Sequence, residues 1–166
     1  MERISRIIFP RVTGLVVSCD SKGVPDVAAF SFLMPVSFEP KYVALAVSPK
    51  RHTYRNLTEV GEFVLAIPTA EMLELVWACG TRSGRDVDKF SLLGLKAESA
   101  RKVKPPLLKS FPVQLECGVE FMREFGDHFL VVGRVLEEHV ETTDFKPLLH
   151  RSGREFMLAS ERVEVK

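Results

Sequence analysis

Apolar residues in this chain come in short runs with turn formers between them. From Gly14 to Val47 there are three such runs, GLVVSC, DVAAFSFLMPVSF and YVALAV, separated by DSKGVPD and EPK, whose Gly, Pro and Asp favour turns. That pattern predicts a meander of β-strands. In the next segment, SPKRHTYRNLTEVGEF, the period changes: Tyr54, Leu57 and Val60 recur at helical spacing and Gly61 offers a C-terminal stop. FVLAIP returns to strand. A second helix is predicted from a Thr69 cap through Glu71, Met72, Leu75, Val76 and Cys79, ending at Gly80. The loop TRSGRDVDKF after it is polar and charged.

The clearest strand lies further on, where Val113, Leu115, Cys117, Val119 and Phe121 alternate with Gln114, Glu116, Gly118, Glu120 and Met122. Period-two alternation is the mark of a half-buried strand. After a Gly126-Asp127 turn, HFLVVGRVLEEHV supplies a partner strand whose continuous Val and Leu predict burial on both faces. A barrel on one side and a second copy of the chain on the other would provide both layers. One more strand is expected in REFMLAS. Many β segments with two short helices, in no regular β-α-β-α alternation, predict a mainly β, antiparallel barrel with helical excursions. A parallel dinucleotide-binding sheet is disfavoured, since no glycine fingerprint follows an early strand.

Composition narrows the function classes. With 166 residues, 46% of them hydrophobic and 27% charged, residues 1–166 suit one domain with an ordinary core. Lys and Arg number 23 against 22 Asp and Glu, so a net charge of +1 gives no broad field to recruit nucleic acid or an anionic membrane. Three cysteines, Cys19, Cys79 and Cys117, sit in apolar stretches without metal-ligand spacing and are expected as reduced core thiols. No apolar run approaches the roughly 18 residues that span a bilayer, and a cytoplasmic location is expected.

Two segments carry candidate chemistry. Ser48-Pro49-Lys50-Arg51-His52-Thr53-Tyr54-Arg55-Asn56 gathers three permanent cations and a histidine around a predicted helix start. Free backbone N–H groups and the positive end of the helix dipole favour an anion there, and Lys50, Arg51 or Arg55 would add charge-assisted hydrogen bonds. The same run also reads as a solvated face in which Thr53 merely caps the helix. Ala28-Ala29-Phe30-Ser31-Phe32-Leu33-Met34-Pro35-Val36-Ser37 could lie along an aromatic ring system, although phenylalanines on one strand face are also ordinary core.

AAFSFLMPVSFEP, SPKRHTYRN, WACGTRSGRDVDKF and GDHFLVVGRV, in this order and spacing, resemble the flavin reductase-like family, with its flavoredoxin and ferric-reductase relatives. The resemblance implies a dimeric, FMN-binding split β-barrel of Greek-key character with the flavin near the subunit interface. It implies that Phe30, Ser31, Phe32, Leu33 and Met34 line the isoalloxazine, and that Ser48, Arg51, His52, Thr53 and Asn56 surround the ribityl phosphate. Asp88, Lys89 and Phe90 match the DKF segment near the flavin, and His128 matches the histidine that positions a nicotinamide or acceptor. The match departs at PLLHRSG, where His150 stands in place of an expected tyrosine and Ser152 in place of a glycine.

The implied activity is an NAD(P)H-dependent flavin or ferric reductase, in which NADH or NADPH reduces bound FMN and electrons pass to a small-molecule acceptor or a redox partner protein. A flavoredoxin-like electron carrier without NAD(P)H activity and a non-catalytic flavin-binding module are the alternatives. Cys79 and Trp77 are expected in the helix core, because nothing nearby in the chain marks Cys79 as an activated nucleophile. Metal catalysis lacks suitably spaced ligands, and no hydrolase elbow is present.

Overall fold

The computed structural model describes all residues except 1, 160, 162 and 166. In chain order the elements are α1 (Ile4–Ile7), β1 (Arg11–Val12), β2 (Gly14–Cys19), β3 (Pro25–Phe30), β4 (Leu33–Phe38), β5 (Lys41–Val47), α2 (His52–Val60) and β6 (Glu62–Ile67). A 3-10 turn (Ala70–Met72) leads into α3 (Leu73–Thr81), followed by α4 (Lys89–Leu93), β7 (Ala97–Glu98) and β8 (Leu107–Leu108). The long strands β9 (Val113–Phe125) and β10 (His128–Val140) come next, then β11 (Leu148–Ser152) and β12 (Glu155–Leu158). Seven strands form one antiparallel sheet in the order β3-β2-β6-β9-β10-β5-β4, and β1-β11-β12 form a second, smaller sheet. The fold is mainly β, antiparallel, with few short helices.

The large sheet has to curl. β3 and β4 are its two edges, yet only Ser31 and Phe32 separate them in the chain. Laid flat, six inter-strand steps would hold the edges about 29 Å apart, whereas the backbone from Phe30 to Leu33 reaches about 11 Å at most. Gly14 lies on the inside of this curl, where a Cβ would stand 2.7 Å from Leu65 of β6 and 2.9 Å from Leu33 of β4. The expected single run DVAAFSFLMPVSF is therefore two strands on opposite edges. Its β-forming residues continue through the break, and it is sheet closure that interrupts them.

Alternation along each strand divides the apolar residues between two cores. Val16, Leu45, Val47, Phe63, Leu65, Cys117 and Val131 point into the curl, where Leu57 and Tyr54 of α2 also pack. Leu15, Val17, Val27, Val64 and Ala66 face the other way, against Val76 and Cys79 of α3 and Phe90 and Leu93 of α4. Full burial of one such side chain stabilises by about 1.5–3 kcal/mol. All three cysteines are free and buried.

β9 corrects one expectation. Gln114 and Glu116, the polar members of the alternation, are buried, and Phe121 is 43% exposed. The loop before β8 folds over that face. Glu116 accepts backbone N–H bonds from Arg101, Lys102 and Val103, while Gln114 pairs with the N–H and C=O of Leu108. Burial on both faces of β10 holds only in part within one chain: Val131 is buried, but Phe129, Leu130 and Val132 are half-buried and Leu136 is exposed.

The two expected helices sit close to expectation as α2 and α3, while α1 and α4 are additional, α4 beginning inside the expected loop TRSGRDVDKF. α2 stops at Gly61, whose φ of 71° is left-handed. α3 begins after the 3-10 turn and runs through Thr81, and the side chain of Thr69 caps no backbone N–H. Of the expected strand REFMLAS, Glu155–Leu158 form β12, Arg154 belongs to the turn before it and Ala159 to no element, and Ser160 lies outside the described residues.

Candidate functional site

The break between β3 and β4 opens onto a cavity of about 560 Å³, bounded across from it by the start of α2 and by the segment Cys79–Gly84. Phe30 ends β3, and Ser31 and Phe32 occupy the break, where the Phe32 carbonyl accepts from the Ala46 N–H at 2.9 Å. All three line the cavity. The Phe32 ring lies 5.7 Å from the imidazole of His128, which opens β10 and also lines the cavity. The His128 Nδ1 is 2.8 Å from the Asp127 carboxylate, and this hydrogen bond holds Asp127 below the usual carboxylate range.

The opposite wall is cationic. Ser48, Lys50, Arg51, His52 and Thr53 line it, because β5 ends at Val47 and the chain turns directly into α2, with the Arg51 N–H donating to the Ser48 carbonyl at 3.0 Å. Arg51 occupies the N-cap position without a side-chain cap, and among the described residues no side chain accepts from the first-turn N–H groups. Thr53 is inside the helix and does not cap it. Uncapped amides and the positive end of the helix dipole therefore remain at this wall. His52 adds a buried Nδ1 without a hydrogen-bond partner among the described residues.

The floor is a buried ion pair. Lys89 Nζ lies 2.9 Å from Asp26 Oδ1, with the side chains 1% and 4% exposed. The same ammonium donates to the carbonyls of Val27 and Cys79, while Asp26 Oδ1 holds it by charge alone and is buried without a hydrogen-bond partner among the described residues. Gly84 rests on Asp26, and a Cβ at Gly84 would come within 2.5 Å of the carboxylate. Burial pushes the Cys79 thiol up to about 11, which leaves it protonated and unreactive near neutral pH.

The expected site residues thus divide. Phe30, Ser31, Phe32, Ser48, Arg51, His52, Thr53, Lys89 and His128 meet around one cavity, and Leu33, Met34, Asn56, Asp88 and Phe90 do not line it. Leu33 points into the curl and Met34 is 56% exposed on β4. Asn56 is buried and donates to Ser18 Oγ at 3.0 Å. Asp88 caps α4 through the N–H groups of Phe90 and Ser91, and Phe90 packs in the core beneath α3. Asp26, Arg82, Ser83 and Gly84 join the cavity without having been anticipated. A lone acidic residue heading an apolar strand was the available signal for Asp26, because such a charge needs a buried partner.

Among the described residues no helix is long and apolar enough to cross a membrane, and no group of three or more His, Cys, Asp or Glu could hold a metal ion. Residues 5–158 match the family model described as a flavin reductase like domain. An uncharacterized protein of Archaeoglobus fulgidus is 37% identical over 169 residues, covering 95% of this chain and 93% of its own length. Two solved structures share the fold: nitrilotriacetate monooxygenase component B from Bacillus cereus (TM-score 0.88, 22% identity, 98% of this chain and 90% of that one) and flavoredoxin from Methanosarcina acetivorans (TM-score 0.88, 21% identity, 99% and 93%).

Proposed function

Since the chain belongs to the flavin reductase-like domain family, we propose that its cavity binds FMN and that the protein is an oxidoreductase drawing electrons from NADH or NADPH. One observation carries the reading: an aromatic wall faces an uncapped, cationic helix start across a single cavity. A flat ring with a phosphate at its far end complements both walls, and about 560 Å³ lies within the range of small-molecule sites, about 300–1,000 Å³.

Phe30, Ser31 and Phe32 would hold the ring. The first-turn N–H groups of α2, with Arg51 and Ser48, would hold the phosphate, and His52 Nδ1 would gain the partner it lacks. When bound, FMN would supply two-electron redox chemistry between a reduced nicotinamide and a flavin or ferric acceptor. His128, at the mouth and steadied by Asp127, would orient the incoming nicotinamide. The Lys89–Asp26 pair keeps the floor closed to water.

A homodimer belongs to the same proposal. Met34, Ala44, Val132 and Phe121 are cross-strand neighbours in one row over β4, β5, β10 and β9. Their outward face is apolar, and Met34 and Phe121 are more than 40% exposed in the single chain. Such a row suits a second copy of the chain.

The test is a visible absorption spectrum of the purified protein loaded with FMN, followed by anaerobic addition of NADH or NADPH. A bound-flavin spectrum that bleaches with one nucleotide is expected. Bound flavin that neither nucleotide bleaches would leave a carrier reduced by a protein donor, and failure to bind FMN would overturn the proposal.

A further inference from the structure

The cavity mouth carries a cluster that the roles assigned above do not use. β1 pairs with β11 so that Arg11 stands opposite His150, and the small sheet brings both side chains to the β3–β4 break. His150 Nε2 is 3.1 Å from the Gly153 carbonyl oxygen. A carbonyl only accepts, so Nε2 carries the ring proton. Nδ1 has two neighbours, Arg11 Nη2 at 3.2 Å and Ser31 Oγ at 3.0 Å. A guanidinium only donates, which makes Nδ1 a lone pair there. With no proton on Nδ1 for it to accept, the Ser31 hydroxyl directs its single proton to the same nitrogen and shares the one lone pair with the Arg11 N–H in a three-centre bond. Arg11 is tied in turn to the carbonyls of Arg151, at 3.0 Å, and Ile8, and the imidazole packs against Phe156 at 5.0 Å. These contacts leave Ser31 only lone pairs to present to the cavity it lines.

We propose that His150, held by Arg11 and Gly153, is a positioning residue that fixes Ser31 as a hydrogen-bond acceptor, so that the cavity selects a ligand presenting an N–H at this point. The inference rests on the FMN proposal above. The ligand group is then an N–H on the polar edge of the isoalloxazine, not one of its oxygens or an unprotonated ring nitrogen. Phosphate plays no part in this contact, so FMN and riboflavin feel it equally.

Fluorescence titration of FMN and riboflavin tests the proposal with wild type, Ser31→Ala, His150→Gln, His150→Asn and the double variant Ser31→Ala/His150→Gln. Glutamine reaches the Nε2 position and keeps the bond to Gly153 while vacating the Nδ1 position. Asparagine places Oδ1 where Nδ1 was. Ser31→Ala and His150→Gln should each weaken both ligands by about 3- to 10-fold, the net worth of one neutral hydrogen bond. The double variant should be no worse than either single one, and His150→Asn should stay within about twofold of wild type. A purely structural role for His150 predicts independent losses in the double variant and no advantage of asparagine over glutamine, and either result overturns the proposal. Unchanged binding by His150→Gln overturns it as well. A wild type that binds neither flavin instead refutes the FMN proposal, and this inference with it.

Discussion

Asp26→Ala should cost the ligand-free protein several kcal/mol. The variant leaves the Lys89 ammonium without its counter-charge at a position only 1% exposed. Deleting one partner of a buried ion pair destabilises by about 3–5 kcal/mol, mostly because the survivor stays desolvated. The carbonyls of Val27 and Cys79 still accept from the ammonium, which places the expected loss at the lower end. For a chain of 166 residues the unfolding entropy near the midpoint is about 350 cal/mol/K, so a loss of about 3 kcal/mol lowers the melting midpoint by about 9 °C. Lys89→Met should cost at least as much, because it strands the carboxylate and frees two buried carbonyls. The double variant Asp26→Ala/Lys89→Met leaves no buried charge and should fall well short of the summed losses. Thermal melts followed by circular dichroism at neutral pH, without flavin, decide the matter. A midpoint loss under about 3 °C for Asp26→Ala, or fully additive losses, would refute the view that this pair is the strut beneath the cavity. A ligand-contacting role alone would spare the empty protein and weaken only flavin binding.

Four further outcomes are expected. Arg51→Ala should reduce FMN affinity by roughly 10- to 100-fold with little effect on riboflavin, as for one lost charge-assisted contact; equal losses in calorimetric titrations would exclude a phosphate at α2. His128→Ala should slow reduction of bound FMN by the preferred nucleotide while leaving FMN affinity intact, and a wild-type stopped-flow rate would remove His128 from nicotinamide positioning. Sedimentation at micromolar concentration should show two chains for wild type and a shift toward one for Phe121→Glu, which puts a charge into the apolar row; a monomeric wild type rules out the dimer. Burial pushes the Glu116 carboxyl up, but the backbone N–H groups of Arg101 and Lys102 together with His139 outweigh it and hold the group below its ordinary 4.5. A lowered folded value means stability that is present above pH 4.5 and lost as pH falls through the lowered value, so urea melts should show a Glu116→Gln deficit at neutral pH that narrows in acid.

The elements legible in the sequence are those whose signal is local. α2 declares itself through Tyr54, Leu57, Val60 and a left-handed Gly61, and the β9–β10 hairpin through the alternation of β9, the continuous apolar run of β10 and the Gly126-Asp127 turn between them. What the pattern could not show is where closure overrides propensity. Phe30, Ser31 and Phe32 include no Gly, Pro, Asn or Asp, and the chain breaks there because β3 and β4 must take opposite edges of one curled sheet. Polarity misleads in the same way at Gln114 and Glu116, since alternation tells that two faces differ and not that a loop covers the polar one.

The candidate site divides along the same line. Lys50, Arg51, His52 and Thr53 are contiguous, so the cationic wall could be read before the fold was known. Asp88 and Phe90 are contiguous with Lys89 yet turn elsewhere, because a five-residue helix needs Asp88 as its cap and sends Phe90 to the opposite side, into the core. Only Lys89 of that segment reaches the cavity, and its partner Asp26 comes from a strand more than sixty positions earlier. His150 meets Ser31 across an even longer stretch of chain. The His150–Ser31 contact arises only once β1 pairs with β11, which ties the polarity of the cavity mouth to the docking of that small sheet. A variant that loosens β1 from β11 should therefore alter ligand choice at Ser31 before it unfolds the seven-stranded sheet, because the two sheets share no strand.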